Sequence, residues 1–114
     1  MAIKLRELKK IDLEWARKLH NDPEVLSVLT DPHKVSQKEQ VQWFERLKKK
    51  SETSKRLVVI LDNVKIGVIR LDKIDKNNKS IMVGLDIHKE FRGKGYGKLT
   101  YDLILDYCFK KLKM

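Results

Sequence analysis

Cysteine and long apolar runs are the first things that this 114-residue sequence lacks. Cys108 is its single cysteine, which excludes an intramolecular disulfide and favours a reducing, cytoplasmic location. No stretch approaches the roughly 20 apolar residues of a membrane-spanning helix. Residues 2–6 also lack the apolar centre of a secretory signal. We therefore expect a protein that is neither inserted into a membrane nor partnered with one.

Acidic residues are outnumbered, because 26 Lys and Arg face 16 Asp and Glu, a net charge of +10. A basic surface attracts anions in general, so nucleic acid, anionic lipid, CoA and sugar nucleotides all stay open as partners. Lysine runs such as 48–50 are explained equally well as solvated helix faces. The three histidines show no metal-ligand spacing, and no metal is expected; they are His20, His33 and His88.

The start of the sequence predicts a strand and then a helix. Ile3 and Leu5 belong to a short first strand. Asp12 reads as the N-cap of the helix that follows. This helix is expected to end near Asn21, because Pro23 disfavours helical backbone in the residue before it.

The next segment, 22–35, is predicted to be irregular, with one helical turn near residues 25–29. Ser36 then opens a second helix, and Glu39 three residues later completes a capping box. One apolar stripe is expected on this helix, formed by Val41, Phe44 and Leu47.

Three apolar runs joined by short polar turns follow, at residues 57–61, 66–71 and 81–87. Such short connections predict antiparallel neighbours. A final helix with a wide buried face covers residues 99–112 and includes Cys108. The chain is therefore expected to be one α/β domain of the α+β type, residues 1–114, with the order strand-helix-helix-strand-strand-strand-helix.

A glycine-rich loop at residues 91–98, Phe-Arg-Gly-Lys-Gly-Tyr-Gly-Lys, lies between the last strand and the last helix. Glycines allow a positive φ and a close backbone approach to a ligand. Successive N–H groups there can converge on an anion, and the helix N-terminus adds its own N–H groups. Three basic side chains add charge: Arg92, Lys94 and Lys98. The loop therefore predicts a pyrophosphate site, whereas a bare turn would not need these cations.

Two better-known phosphate motifs do not fit this loop. A Walker loop needs four residues between its glycines and a Ser or Thr after the lysine. Here three residues separate Gly93 from Gly97, and Leu99 follows Lys98. The dinucleotide fingerprint would need glycine at position 98 and belongs after the first strand of a βαβ unit.

The motif Arg-x-x-Gly-x-Gly at residues 92–97 resembles the Gln/Arg-x-x-Gly-x-Gly/Ala signature of the GNAT superfamily of N-acetyltransferases. Residues 83–91 resemble that family's fourth strand and its lead-in, and the helix at 99–112 resembles its third helix. Residues 21–24 and the helix containing Trp43-Phe44 resemble the branch with ribosomal-protein-alanine and amino-sugar acetyltransferases. The resemblance covers nearly the whole chain.

This resemblance implies that acetyl-CoA is the cosubstrate and that an amine attacks its thioester directly. It places the pantetheine arm on the backbone of Leu85, Asp86 and Ile87, with a strand N–H in an oxyanion-hole role. It assigns the diphosphate to the loop, whose predicted contact residues are Arg92, Gly93, Lys94, Gly95, Tyr96, Gly97 and Lys98.

A general base is also expected, because an alkylamine with a pKa of about 10.4 is almost fully protonated at pH 7. The Glu that family members often keep early in the fourth strand is replaced by Ile81. Asp86 is the acidic residue of this strand and the candidate base, with a structural or solvated Asp as the alternative. His88 is expected to be a loop residue.

The family fold usually continues past its third helix, with a fifth strand, a fourth helix, two more strands and the tyrosine that protonates the thiolate. This sequence stops at Met114, so a C-terminally truncated GNAT-like fold is expected. It is a truncated product, a domain completed by dimerisation, or a CoA-binding protein without catalysis. An unpaired edge on the fourth strand favours a homodimer or larger species.

Three functions follow from these features. The first is an N-acetyltransferase acting on a primary amine, which is a small molecule, an amino sugar or a protein N-terminus. The second is a non-catalytic acetyl-CoA-binding module or inactive fragment. The third is a basic nucleic-acid-binding protein, disfavoured because no recognisable binding motif or aromatic interleaving accompanies the charge.

Overall fold

The computed structural model describes residues 2–27 and 33–113, and within them four antiparallel strands form one sheet in the order β1-β2-β3-β4. The strands are β1 (Ile3–Glu7), β2 (Lys55–Leu61), β3 (Val64–Asp75) and β4 (Ser80–Ile87). The predicted meander of three antiparallel strands is confirmed. The first strand completes the sheet by pairing antiparallel with β2.

Local turn chemistry fixes both hairpins. Asp62 and Asn63 join β2 to β3 with φ of 47° and 71°, the left-handed backbone that a tight two-residue hairpin turn requires. At the β3–β4 turn, the carboxylate of Asp75 accepts bonds from the backbone N and the Nδ2 of Asn78, at 3.1 and 2.9 Å. These turns set the register of β4 against β3.

Among the residues that the structure describes, four helices cover the sheet: α1 (Leu13–His20), α2 (Pro23–Leu26), α3 (Gln37–Lys49) and α4 (Tyr96–Lys110). Short 3-10 turns precede α1 at Lys10–Asp12 and α4 at Lys89–Phe91. Alternate residues of a strand point to opposite faces. Accordingly Leu57 and Val59 of β2 pack in the cluster that contains Ile104 of α4, while Val58 packs with Leu13 and Phe44. The helices α1 and α3 therefore share one face of the sheet, and α4 covers the other.

The helical turn predicted near 25–29 lies slightly earlier, as α2. The side chain of Asp22 caps it by accepting a bond from the backbone N of Glu24 at 2.8 Å, and Pro23 occupies the first helical position. Residues 28–32 lie outside the described residues, so the structure does not test the predicted turn at its last residues, 28 and 29.

Asp12 lies at the N-cap position of α1, as predicted, but its side chain makes no capping bond there. A 3-10 turn precedes the helix and holds Asp12 in helical backbone, with φ −89° and ψ −9°. Its carboxylate is fully buried and accepts bonds from Arg6 at 2.7 and 2.9 Å, from the backbone N of Lys9 at 2.8 Å and from Lys65 at 3.2 Å. The pKa of this carboxyl is held well below its usual value, chiefly by the bond from Arg6.

The capping box of α3 is confirmed, because Ser36 and Glu39 exchange side-chain-to-backbone bonds at 3.2 Å in both directions. The predicted apolar stripe is wrong at Val41, which is 52% exposed. Gln40 is buried instead and donates from Nε2 to the carbonyl of Leu13 at 2.6 Å. A polar contact to α1 thus sets the rotation of α3, and apolar periodicity alone could not have shown it.

No helix among the residues that the structure describes is long and apolar enough to cross a membrane.

Candidate active site

The glycine-rich loop adopts the left-handed backbone that its sequence predicts. Gly93 has φ 73° and Gly95 has φ 83°, and Gly95 is the N-cap of α4. The helix therefore begins at Tyr96, earlier than residue 98 or 99 where the sequence places it. A Cβ at Gly93 or Gly95 would meet no atom within 4 Å, so both positions are open to solvent. Backbone conformation, and not crowding, requires glycine here.

The amides of this loop after residue 92 have no hydrogen-bond acceptor among the described residues of the protein. In the described part of the chain, the first amide after residue 92 to find a partner is that of Leu99, which donates to the carbonyl of Gly95 at 3.4 Å. The six amides from Gly93 to Lys98 donate to no protein acceptor among those residues. They lie at the positive end of the 15-residue helix α4. Such an arrangement can hold an anion of the size of a diphosphate.

Arg92 turns away from these amides. Its Nε donates to the carbonyl of Ile87 at 2.7 Å, and one terminal nitrogen bonds to the carboxylate of Glu24 in α2. The other terminal nitrogen lies 3.8 Å from the carboxylate of Asp22. The guanidinium therefore ties the loop to β4 and α2, and its predicted contact with the diphosphate stays a prediction. Lys94 and Lys98 are exposed on the loop.

The strand β4 is an edge of the sheet within residues 2–27 and 33–113. His88 donates its backbone N–H to the carbonyl of Ile66 at 2.7 Å, and β4 pairs with β3 in unbroken register from Gly84 to Ile87. Because hydrogen-bonded pairs alternate, Asp86 directs its amide toward β3. Leu85 and Ile87 direct theirs to the open edge.

Of the three residues predicted to meet the pantetheine arm, Leu85 and Ile87 thus have the required backbone direction and Asp86 does not. The carbonyl of Ile87 already accepts the bond from Arg92. Leu85 therefore offers both an N–H and a carbonyl on the edge, and Ile87 offers its N–H. Asp86 can act there only through its side chain.

That side chain lies on the sheet face of α1 and α3, opposite the face where Leu85 packs into the core beneath α4. This is the alternation that the sequence predicts. One carboxylate oxygen of Asp86 is 3.4 Å from a terminal nitrogen of Arg70, and the side chain is 13% exposed. A role for Asp86 as general base stays a prediction, and its ion pair favours the structural alternative equally.

Comparison with known proteins identifies this arrangement. A model of the acetyltransferase (GNAT) domain matches residues 3–114. The chain belongs to this family. It is 26% identical over 114 residues to spermidine N(1)-acetyltransferase of Escherichia coli strain K12, covering 99% of the chain and 60% of that relative. The chain therefore spans about 60% of the length of the curated relative it matches.

A solved structure gives the same fold. Spermidine N-acetyltransferase from Vibrio cholerae, crystallised with CoA and spermine, superposes with a TM-score of 0.88 at 25% identity. The match covers 98% of this chain and 66% of that one. The expected GNAT fold and family are confirmed, and acetyl-CoA is the cosubstrate of this family.

The GNAT domain also contains a cleft of about 470 Å³ between the sheet and the helices α1 and α3. One wall is fixed by Asn21, whose side-chain amide exchanges bonds with the backbone of Val35 at 2.8 and 2.9 Å. Strand side chains form the floor, among them Arg56, Arg70 and Asp86. Sequence reasoning missed the two arginines, although strand alternation could have placed them on one face with Asp86.

Two residues considered at the sequence level have structural roles. His88 accepts a bond at Nδ1 from the backbone N of Glu90 at 3.3 Å and begins the 3-10 turn, as expected of a loop residue. Cys108 is buried in the core under α4, and burial raises the pKa of its thiol.

Proposed function

We propose that this GNAT domain binds acetyl-CoA through the amides of residues 93–98 and the outer edge of β4, and transfers the acetyl group to a primary amine. The observation that carries the proposal is the row of six consecutive amides without protein acceptors at the start of α4. Beside them, Leu85 offers an N–H and a carbonyl on an open strand edge. CoA needs both features, because its pyrophosphate accepts hydrogen bonds and the amides of its pantetheine arm need an N–H and a carbonyl to pair with.

In this mechanism the protein acts mainly by positioning. The amine nitrogen bonds to the carbonyl carbon of the thioester, the carbon–sulfur bond breaks, and the thiolate leaves and takes up a proton. An outward N–H of β4, from Leu85 or Ile87, donates to the carbonyl oxygen as negative charge develops there. Asp86, on the face of the acceptor cleft, takes the proton that the ammonium group must lose.

A second candidate is an acetyl-CoA-binding module without catalysis. It is favoured by the ion pair between Asp86 and Arg70, because that pair gives Asp86 a structural role that needs no catalysis. The two candidates differ in one measurement, which is the release of free thiol from acetyl-CoA in the presence of amines.

The proposal also includes self-association. The outer side of β4 before Leu85 has no strand partner in the described part of the chain and is not needed for the pantetheine arm. Three apolar side chains spaced by four residues also lie exposed on α4: Tyr101, Leu105 and Phe109. Exposed strand edges and apolar stripes both favour assembly. Light scattering coupled to size-exclusion chromatography tests this, and a monomer at high concentration counts against it. A cytoplasmic location is part of the proposal, supported by the single thiol at Cys108.

Calorimetry with acetyl-CoA tests the binding proposal. Lys98→Glu places a negative charge among the loop amides and is expected to lower the affinity at least tenfold. Lys76→Glu makes the same charge change in the exposed β3–β4 turn and is the matched control. An equal loss of affinity in both variants would show that the protein's net charge causes the effect and that the loop does not. Absence of binding in the unmodified protein would overturn the proposal.

A further inference from the structure

The cleft on the α1 and α3 face is lined by more cations than anions. Among the described residues, its floor and walls carry four arginines and three carboxylates: Arg17, Arg46, Arg56, Arg70, Glu39, Asp72 and Asp86. If the proposed function is right, this cleft receives the amine acceptor, because it reaches the side chain of Asp86 on β4.

All three carboxylates already have partners on the protein. Asp72 lies 2.9 Å from Arg56, and Asp86 lies 3.4 Å from Arg70. Glu39 accepts the capping bond from the backbone of Ser36 at 3.2 Å. The cleft therefore has no uncommitted carboxylate, among its described residues, for the additional ammonium groups of a polyamine.

Two of the arginines, in contrast, keep unused capacity. Arg17 is already paired with Glu14 at 2.6 Å. Arg56 and Arg70 are direct partners on neighbouring strands, and one carboxylate offsets each of them, so neither binds its partner with all of its donors. The Nε of Arg70 is buried without a hydrogen-bond partner in the part of the chain that is described. Arg46 has no carboxylate within ion-pair distance among the same residues, and it is exposed at the cleft.

Gly84 belongs to the same arrangement. It lies opposite Arg70 on β4, and a Cβ there would come within 2.6 Å of the guanidinium. Its missing side chain lets Arg70 lie flat over β4, close to the position where the acceptor amine must react. Arg70 is thereby held at the floor of the cleft.

We propose that the acceptor is an amine that also carries a negatively charged group, a carboxylate or a phosphate, which the arginines of this cleft bind. Arg46 and Arg70 are the main donors, and Arg56 adds charge from the next strand. Strands lie about 4.8 Å apart, so the floor from β4 to β2 spans about 10 Å. The anionic group and the reacting amine of the acceptor are separated by no more than that span. This inference rests on the proposed function and concerns its substrate class.

A matched series of small amines tests it: 4-aminobutyrate, its neutral amide 4-aminobutyramide, and 1,4-diaminobutane. In the presence of CoA, the carboxylate is expected to bind at least tenfold more tightly than the amide, and the diamine most weakly. With acetyl-CoA, kcat/KM is expected to follow the same order. Pairing 3-aminopropyl phosphate with 3-aminopropanol shows whether phosphate or carboxylate is preferred.

Arg46→Gln is expected to remove most of the preference for the carboxylate without changing the affinity for acetyl-CoA. Lys38→Gln, an equivalent charge loss at an exposed position of α3 that does not line the cleft, is the control and is expected to keep the preference. Equal binding of carboxylate and amide, a preference for the diamine, or no binding of any amine would overturn the inference. If the same sample still binds acetyl-CoA, only this inference fails; if it does not, the proposed function fails as well.

Discussion

The guanidinium of Arg92 is hydrogen bonded to the carboxylate of Glu24, 68 residues earlier in the chain. This contact joins the end of the phosphate loop to α2, while the Nε of Arg92 joins it to the carbonyl of Ile87. The residue that the family signature would assign to the diphosphate therefore braces the loop. Arg92 is therefore expected to support ligand binding by keeping the loop ordered as well as by its charge.

Arg92→Gln is expected to weaken acetyl-CoA binding at least tenfold and to speed hydrogen exchange of the amides at residues 93–98. The loop loses its bonds to α2 and β4, and Glu24 loses a cation that offsets its charge near the anion site. Calorimetry gives the affinity and exchange mass spectrometry gives the loop order. Glu52→Gln, at an exposed acidic position before β2, is the control. Weaker binding with unchanged exchange would show that Arg92 acts by charge alone.

Two glycines of the loop should respond differently to alanine. Gly95→Ala is expected to lower the free energy of unfolding by about 1–2 kcal/mol, because φ is 83° there and a Cβ is strained in left-handed backbone. Gly97→Ala lies in the first turn of α4, where its Cβ would meet only Cδ2 of Leu85 at 4.0 Å. It should keep or slightly raise stability, since alanine is the better helix former.

Urea denaturation measures the stability of both variants, and calorimetry then measures their affinity for acetyl-CoA. Gly97→Ala is expected to keep its affinity for acetyl-CoA, because the family signature accepts alanine at this position and the added Cβ faces Leu85. Gly95→Ala is expected to bind at least fivefold more weakly, because its left-handed backbone directs the loop amides toward one anion. Equal affinities of the two variants would contradict a diphosphate at the loop.

The buried carboxylate of Asp12 should make stability fall in acid. Its pKa in the folded protein lies below its ordinary value because Arg6 and Lys65 bond to it. The unfolded state therefore takes up this proton first, and the stabilisation present above about pH 4 is lost as the pH falls below it. Urea denaturation between pH 7 and pH 2.5 should show this loss.

Asp12→Asn is expected to cost about 2–3 kcal/mol at pH 7. This is less than the 3–5 kcal/mol of a fully buried broken pair, because Arg6 and Lys65 are each about a third exposed. The difference from the unmodified protein should shrink toward pH 3. Asp102→Asn on the exposed face of α4 is the control and should change neither value. A pH-independent difference would show that shape, and not charge, makes Asp12 important.

The features that the sequence predicted correctly depend on interactions between residues that are close along the chain. The turn at Asp62 and Asn63, the capping box of Ser36 and Glu39, and the positive φ of Gly93 and Gly95 each require only neighbouring residues. The order β2-β3-β4 then follows, because short polar turns make consecutive strands antiparallel neighbours. The place of β1 beside β2 was not predicted. The family signature added acetyl-CoA as the cosubstrate of the family.

What the sequence missed depends on residues that are distant along the chain. Asp12 is held chiefly by Arg6 of β1 and also by Lys65, 53 residues away, and Arg92 is bound to Glu24. Gln40 is buried because α1 presents a carbonyl to it. In each case a polar side chain has local partners that are equally plausible, and only the packing of the elements selects between them.

Asp86→Asn gives the sharpest test of catalysis. If Asp86 removes the ammonium proton, kcat should fall 10²- to 10⁴-fold, the range for a lost general base, while acetyl-CoA affinity stays unchanged. Asp72→Asn is the matched control, because Asp72 makes the equivalent ion pair with Arg56 on the same floor. Losing either carboxylate frees an arginine, so equal decreases in kcat would mean that Asp86 only holds Arg70 in place. A higher pH should partly restore Asp86→Asn, because a larger fraction of the amine, with a pKa of about 10.4, is then already neutral. A variant whose remaining rate does not rise with pH would exclude Asp86 as the base.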